Sequence, residues 1–324
     1  MIAVLGAFDG FHRGHQSLFV QAKQRADREQ TAWGVVTFSP HPQMVMSSGI
    51  FCNLFTEHER QILAQYFEIP RWEIIPFTHG LADMSPERFL DILATRYALR
   101  GIVVGRNFFF GRGRSGDIAF LQQECLRRGW TCDVVSPLLQ DGHTVSSTAI
   151  RRLLLEGNVM MARSLLGYPF GMLATVVHGD HRGQSLGFPT ANLSCPSGKL
   201  LPPGGVYAVA VVAEGRVYPG AANMGYNPTF AGQRSLRFEV FLLNFSGNLY
   251  EKTLGTFFLE HLREERRFLS VAELVAQLQR DRDGAGEIFC KHMADENLAR
   301  FLQHMASVGV APQSFPLSPG GNLC

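Results

Sequence analysis

The hydrophobic rhythm of the chain changes once, near residues 157–171, and this change constrains the fold more than any other feature. Up to Gly157, short apolar runs at 2–5, 33–38, 72–76, 101–105 and 132–136 alternate with helix-like patterns at 16–28, 57–67, 86–98 and 117–128. Parallel strands need crossover connections, so this order predicts an α/β unit. From Met172 to about Glu260 the period shortens to two, with alternating aromatic-rich runs at 172–178, 206–213, 216–222, 236–243 and 253–260 punctuated by Gly and Pro. That pattern predicts an antiparallel barrel or sandwich. Ser270 and Glu273 form a capping box ahead of Val271, Leu274, Val275 and Leu278, which predicts a closing helix. The predicted domains are therefore 1–157, a helix and linker over 158–171 with Asn158 as cap and Gly167 as stop, a barrel with its helix over 172–283, and a tail over 284–324 that begins helical. No role is assigned to the tail.

A chain of 324 residues, 46% of them hydrophobic, is long enough for two packed cores. Thirty Lys and Arg against 28 Asp and Glu give a net charge of +2, which disfavours a nucleic-acid partner. The longest uncharged apolar run, 164–177, is too short to span a bilayer and is broken by Gly167, Pro169 and Gly171, so no membrane partner is expected. Asp9, His12 and Arg13 interrupt any secretory apolar segment. Six cysteines without a C-x-x-C pair suit a reducing cytoplasm and disfavour structural zinc. Oligomeric state is not encoded legibly.

The segment 6–15, GAFDGFHRGH, follows the first apolar run and precedes a helix. Gly6 and Gly10 allow a tight turn around Phe8 and Asp9, where backbone amides at the helix start meet an anion. His12 and His15, three apart in the first helical turn, share one side and offer two donors to it. A surface turn carrying two solvated histidines is the plainer alternative. Such a site has no protein nucleophile, which fits attack by a substrate phosphate on a nucleotide phosphorus, driven by positioning and charge neutralisation. VSSTAIR at 145–151 places Ser147 and Thr148 at a helix start with Arg151 in its first turns, able to hold polyphosphate oxygens or, for the hydroxyls, simply to cap. GRGRSG at 111–116 matches the dinucleotide fingerprint, but it comes late, with Asp117 beside the supposed pyrophosphate and Asp133 ahead of the next strand. A loop covering an aromatic ligand, following Phe108, Phe109 and Phe110, fits better, with plain core as the alternative for those rings.

In the second half, 179–192 reads GDHRGQSLGFPTAN. Gly179, Gly183 and Gly187 free backbone amides for phosphate, while Thr190 and Asn192 offer oxygens to a hard cation such as magnesium; a plain β-turn is the alternative. His178 and His181 lack further ligands at zinc-like spacing. Alternation along 236–243 puts Leu236, Phe238, Val240 and Leu242 on one face and Glu239, with Arg237 and Phe241, on the other. Glu239 is read either as a solvated partner of Arg237 or as a general base near a substrate hydroxyl.

These motifs, with TFSPHP at 37–42, VGRNFFFGRGRSGD at 104–117, LGFPTANL at 186–193, GVYAV at 205–209, NMGYNPTF at 223–230 and FEVFLLNFSGNLYE at 238–251, resemble the prokaryotic bifunctional riboflavin kinase and FAD synthetase family. The resemblance runs from residue 2 to about 283. It implies a Rossmann-like nucleotidylyltransferase domain followed by a six-stranded antiparallel β-barrel riboflavin kinase domain. It also implies that the barrel phosphorylates riboflavin to FMN with ATP, Thr190 and Asn192 serving magnesium and phosphate and Glu239 deprotonating the hydroxyl. In the first domain, FMN phosphate would attack the α-phosphorus of a second ATP, giving FAD and pyrophosphate. There His12 and His15 would bind ATP phosphates, Asn107 would occupy a flavin or nucleotide position, Ser147, Thr148 and Arg151 would complete the phosphate site, and magnesium would bridge the leaving pyrophosphate. Departures from the family pattern are a start almost at the first strand, His181 and Gln184 in place of Gly and Arg, and Phe109 in place of Arg. The second of these makes kinase efficiency the less secure activity. Retention of only one activity, or a flavin- or nucleotide-binding regulator without turnover, are the alternatives.

Overall fold

The computed structural model describes residues 1–179, 183, 186–228 and 234–309. The departures at His181 and Gln184, the end of NMGYNPTF and the last fifteen residues of the tail lie outside these. The first half runs β1 (Ile2–Leu5), α1 (Arg13–Arg28), β2 (Trp33–Ser39), α2 (Pro42–Met46), α3 (Glu57–Tyr66), β3 (Trp72–Pro76), α4 (His79–Ala82), α5 (Pro86–Arg96), β4 (Gly101–Gly105), α6 (Ile118–Arg128), β5 (Thr131–Val135), a short hairpin of β6 (Leu139–Gln140) and β7 (His143–Thr144), then α7 (Ser147–Leu155) and α8 (Val159–Leu166). The five long strands form a parallel sheet in the order β3-β2-β1-β4-β5. All four residues of β1 are buried, as its unbroken IAVL run requires of a central strand covered on both faces. Strand order reverses direction at β1, so the crevice beyond the ends of β1 and β4 is the natural ligand position.

The second half runs β8 (Gly171–Val177), β9 (Ala191–Ser194), β10 (Gly205–Ala213), β11 (Arg216–Pro228), β12 (Arg234–Leu242), β13 (Thr253–Arg263), α9 (Val271–Met293) and α10 (Glu296–Val308). The six strands close a barrel in the order β10-β11-β12-β9-β8-β13. Five of them were legible as alternating runs. The sixth, β9, falls where the sequence predicts the end of a glycine-rich loop, because four residues with only Leu193 fully buried carry too little alternation to register as a strand. Asn192 thus belongs to a strand. The Ser270 hydroxyl accepts from Glu273 N–H at 3.1 Å, as the capping box requires, although the Glu273 carboxylate turns to Leu269 N–H. The helix it starts continues through residue 283 to Met293.

Contacts divide the chain into one unit of Met1–Phe170 with Pro196–Gly205 and Phe258–His261, and another of Gly171–Cys195, Val206–Phe257 and Leu262–Cys324. Within the first unit the segment 196–205 is held by buried Lys199, whose Nζ donates to the Leu54 carbonyl at 2.8 Å and pairs with Glu59 at 2.7 Å. The three phenylalanines after β4 divide: Phe110 is in the core, Phe108 packs at its margin, and Phe109 is exposed under the Arg114 guanidinium. The fingerprint-like GRGRSG forms a 3-10 turn over Arg112–Arg114, and Asp117 caps α6 by accepting from Phe120 N–H at 2.8 Å. Asp133 lies inside β5, where it pairs with Arg25 at 2.6 Å.

Candidate active site

In the parallel-sheet unit, a cavity of about 240 Å³ opens at the strand-order reversal, lined by Gly6, Phe8, His12, His15, Asn107 and Ser146 among others. The turn leading into it admits little variation. Phe8 has φ +45° and Gly10 φ +100°, and a Cβ on Gly10 would stand 2.7 Å from Leu54 Cδ1. A Cβ on Gly6 would meet the Phe8 ring at 2.9 Å. His12 caps α1, its Nδ1 accepting from His15 N–H at 3.2 Å. That bond leaves the proton of the neutral ring on Nε2. The two imidazoles stack, with centroids 3.6 Å apart and planes 17° from parallel. Burial lowers the His12 pKa to about 4; burial and the neighbouring His12 carry His15 well below its usual value. Both rings are therefore neutral at pH 7 and offer N–H donors rather than charge.

Asp9, Gly10, Ser147, Thr148 and Arg151 are not on the wall of that cavity. Asp9 is 2% exposed and accepts from Leu54 N–H at 3.0 Å, from Phe55 N–H at 3.2 Å and from Arg151 Nη2. Burial raises its pKa, against the opposing pull of Arg151 and the two amides. Arg151 also donates through Nε to the Cys52 carbonyl at 3.2 Å and lies 4.4 Å over the Phe51 ring. Ser147 Oγ donates to the Asp9 carbonyl at 2.6 Å, while Ser146 is the residue that caps α7. Thr148 is exposed. The VSSTAIR segment thus braces the turn of GAFDGFHRGH from behind.

In the barrel unit, a second cavity of about 330 Å³ is lined by Gly183, Thr190, Arg237, Glu239 and Phe241, with Phe188 and residues of α9. Phe238 and Val240 are buried while Arg237, Glu239 and Phe241 face the cavity, as the alternation of β12 predicts. Glu239 is opposite Asn192 in the β12–β9 register. Arg237 Nη2 reaches Glu239 Oε1 at 2.6 Å, so the ion pair and the cavity position hold together. Gly179 leaves room for Asn192, since a Cβ there would overlap Asn192 Nδ2. A Cβ on Gly183 would overlap the Phe188 carbonyl oxygen. Gly187 turns at φ +81° in open space.

Sequence reasoning missed Arg263, Glu265, Phe268 and Asp281, all on the wall of this second cavity. Burial raises the Glu265 pKa, opposed by Arg237 and Arg263. The signal was weak, because a charged run after a strand reads as a solvated face until the fold brings α9 over it. His178 stacks on Tyr250 with centroids 4.2 Å apart, and among the described residues no three His, Cys, Asp or Glu side chains gather as a metal group.

Such an arrangement defines a two-domain protein with a cavity in each half, one at the switch point of a parallel sheet and one in a closed barrel. A family model described as FAD synthetase matches residues 1–149, and one described as riboflavin kinase matches residues 166–289. The bifunctional riboflavin kinase/FMN adenylyltransferase of Listeria monocytogenes is 33% identical, over 90% of this chain and 93% of that protein. Its namesake in Pseudomonas fluorescens is 34% identical, over 86% of this chain and 90% of that one. A crystal structure described as a macrolide-efflux protein from Streptococcus pneumoniae is 31% identical with a TM-score of 0.79, covering 87% of this chain and 92% of that chain. Among the described residues no helix is long and apolar enough to cross a membrane. The chain belongs to the bifunctional riboflavin kinase/FMN adenylyltransferase family.

Proposed function

We propose that the barrel transfers the γ-phosphoryl group of ATP to the 5′-hydroxyl of riboflavin, and that the parallel-sheet unit joins the resulting FMN to AMP from a second ATP. The observation that carries this reading is that Glu239 and Thr190 line one cavity while the strand register sets Asn192 opposite Glu239. In the first step Glu239 takes the proton as the hydroxyl oxygen bonds to the γ-phosphorus and ADP leaves. Arg237 orients this carboxylate through their ion pair, and the backbone amides of Gly179, Gly183 and Gly187 receive phosphate oxygens. Thr190 and Asn192 present a hydroxyl and an amide oxygen, a donor set that fits Mg²⁺, which takes one or two protein oxygens and completes its shell with phosphate and water. Bound there, magnesium would supply charge neutralisation on the phosphates.

In the second step a phosphate oxygen of FMN bonds to the α-phosphorus of ATP and pyrophosphate leaves. His12 and His15 donate N–H groups to phosphate oxygens, Asn107 contributes a polar contact to flavin or nucleotide, and the amides of the Gly6–Gly10 turn complete the cradle. Asp9, Ser147 and Arg151 hold that turn in place. Scattered cysteines suit work in the cytoplasm. Incubating the purified protein with riboflavin, ATP and magnesium and separating the flavins by chromatography tests both steps. FMN and FAD are expected, and the absence of both overturns the assignment.

A further inference from the structure

Among the residues that line the barrel cavity, Asp281 is 6% exposed and is held by two neighbouring side chains. Its oxygens accept from Arg263 Nε at 3.0 and 3.2 Å, from Arg263 Nη2 at 2.7 Å and from Gln277 Nε2 at 2.7 Å. Arg263 is the last residue of β13, and its Nη1 donates to the Glu264 carbonyl at 2.9 Å. The guanidinium therefore grips the backbone just where it leaves the barrel. One turn back along α9, Gln277 Oε1 accepts from Arg266 Nη2 at 2.9 Å. The Phe268 ring lies 5.7 Å from the Arg263 guanidinium carbon and 4.8 Å from that of Arg266. The Glu265 carboxylate packs against β11 at Gly225, where a Cβ would overlap it. One turn of α9 thus holds the start and middle of the segment 264–268 through Arg263 and Arg266, with the Phe268 ring beside both guanidiniums.

We propose that Asp281 is a positioning residue for riboflavin: through Arg263 and Gln277 it holds the segment 264–268 so that Glu265 and Phe268 form one wall of the flavin site. This rests on the kinase reading of the barrel cavity. Bringing a carboxylate and a guanidinium out of water is costly, and replacing such a pair with apolar residues is often neutral or stabilising. What a bidentate, doubly buttressed pair does supply is fixed geometry. The wall it fixes is suited to a flat tricyclic ring, since Phe268, Phe188 and Phe241 all line the cavity and Glu265 offers hydrogen-bond acceptors. A bond made only for stability would leave substrate affinity alone.

The test is riboflavin affinity of the full chain, read by quenching of flavin fluorescence, together with KM for each substrate, kcat for FMN formation and the melting temperature. Asp281→Asn is expected to raise the riboflavin Kd and KM about tenfold while ATP KM and kcat stay within about twofold. Gln277→Ala, which keeps the Arg263 pair, is expected to raise the riboflavin KM about twofold, and Asp281→Glu to recover part of the loss. An unchanged riboflavin Kd in Asp281→Asn, or equal loss for both substrates, overturns the proposal. Should that variant not fold, an unchanged KM in Gln277→Ala overturns it instead. Wild-type protein that binds riboflavin without making FMN removes the kinase reading and leaves the wall assignment to the Kd comparison. Wild-type protein that binds no riboflavin overturns both.

Discussion

Glu239 and Asn192 stand opposite one another where β12 pairs with β9, so an acid and an amide separated by a long stretch of chain share one rung of the barrel. Residues directly opposite in an antiparallel pair carry Cβ atoms roughly 4.5–5.5 Å apart. Backbone hydrogen bonding therefore keeps this carboxylate and this amide side by side.

Replacing Glu239 with Gln keeps the shape and removes the base. FMN formation is expected to fall by about 10²–10⁴ in kcat, while FAD made from supplied FMN continues at the wild-type rate. Chromatography of the two reactions run separately reads this directly, and parallel loss of both would contradict two independent sites.

Gly179→Ala is expected to impair the same step by steric means. The added Cβ would overlap Asn192 Nδ2, pushing that side chain from its place opposite Glu239. Displacing a positioned group by about 1 Å can cost on the order of 100-fold in rate. Steady-state kinetics should show the loss in FMN formation alone.

The stacked imidazoles set a pH signature. His12 is held near a pKa of about 4 by burial, against an ordinary value of 6.5 in the unfolded chain. Between those values the unfolded chain binds more protons than the folded one, so stability rises with pH through this window. Its contribution is complete above 6.5 and is lost as pH falls towards 4. The loss amounts to about 3 kcal/mol for this residue. Urea titrations at pH 4.5 and 7 should show it, with a smaller difference in His12→Asn. FAD formation should show no kinetic pKa near 6.5, because neither ring titrates there.

Asp9→Ala tests the brace behind the turn. It leaves the mostly buried Arg151 without its carboxylate and two amides without an acceptor. Breaking a buried pair from one side costs roughly 3–5 kcal/mol, so a large drop in the denaturation midpoint is expected. FAD formation should suffer more than FMN formation; an equal loss in the two would indicate that Asp9 serves global stability only.

Much of this architecture was readable in advance, and the failures have identifiable causes. The strands of the parallel sheet and the caps at Asn158 and Ser270 appear within a residue or two of their expected places, because hydrophobic period and capping chemistry act over short distances. The stacking of His12 on His15 follows from a three-residue spacing at a helix start. By contrast, β9 was hidden by its brevity, and Phe108, Phe109 and Phe110 could not be sorted into core and surface by their adjacency alone. The partner of Arg151 was also invisible from outside, because a cation at a helix start gives no local sign of the buried Asp9 that engages it.

Residue order alone determined the two hydrophobic rhythms, the glycine turn, the paired histidines and the alternating faces of β12, since each depends on neighbours within a single turn or strand. Tertiary structure decided which distant partners meet: Asn192 with Glu239, Asp9 with Arg151, and Asp281 with Arg263. Those meetings depend on barrel closure, strand register and the seating of helices against sheets. Such arrangements are set by the summed burial of many side chains, and no local stretch of sequence encodes that sum.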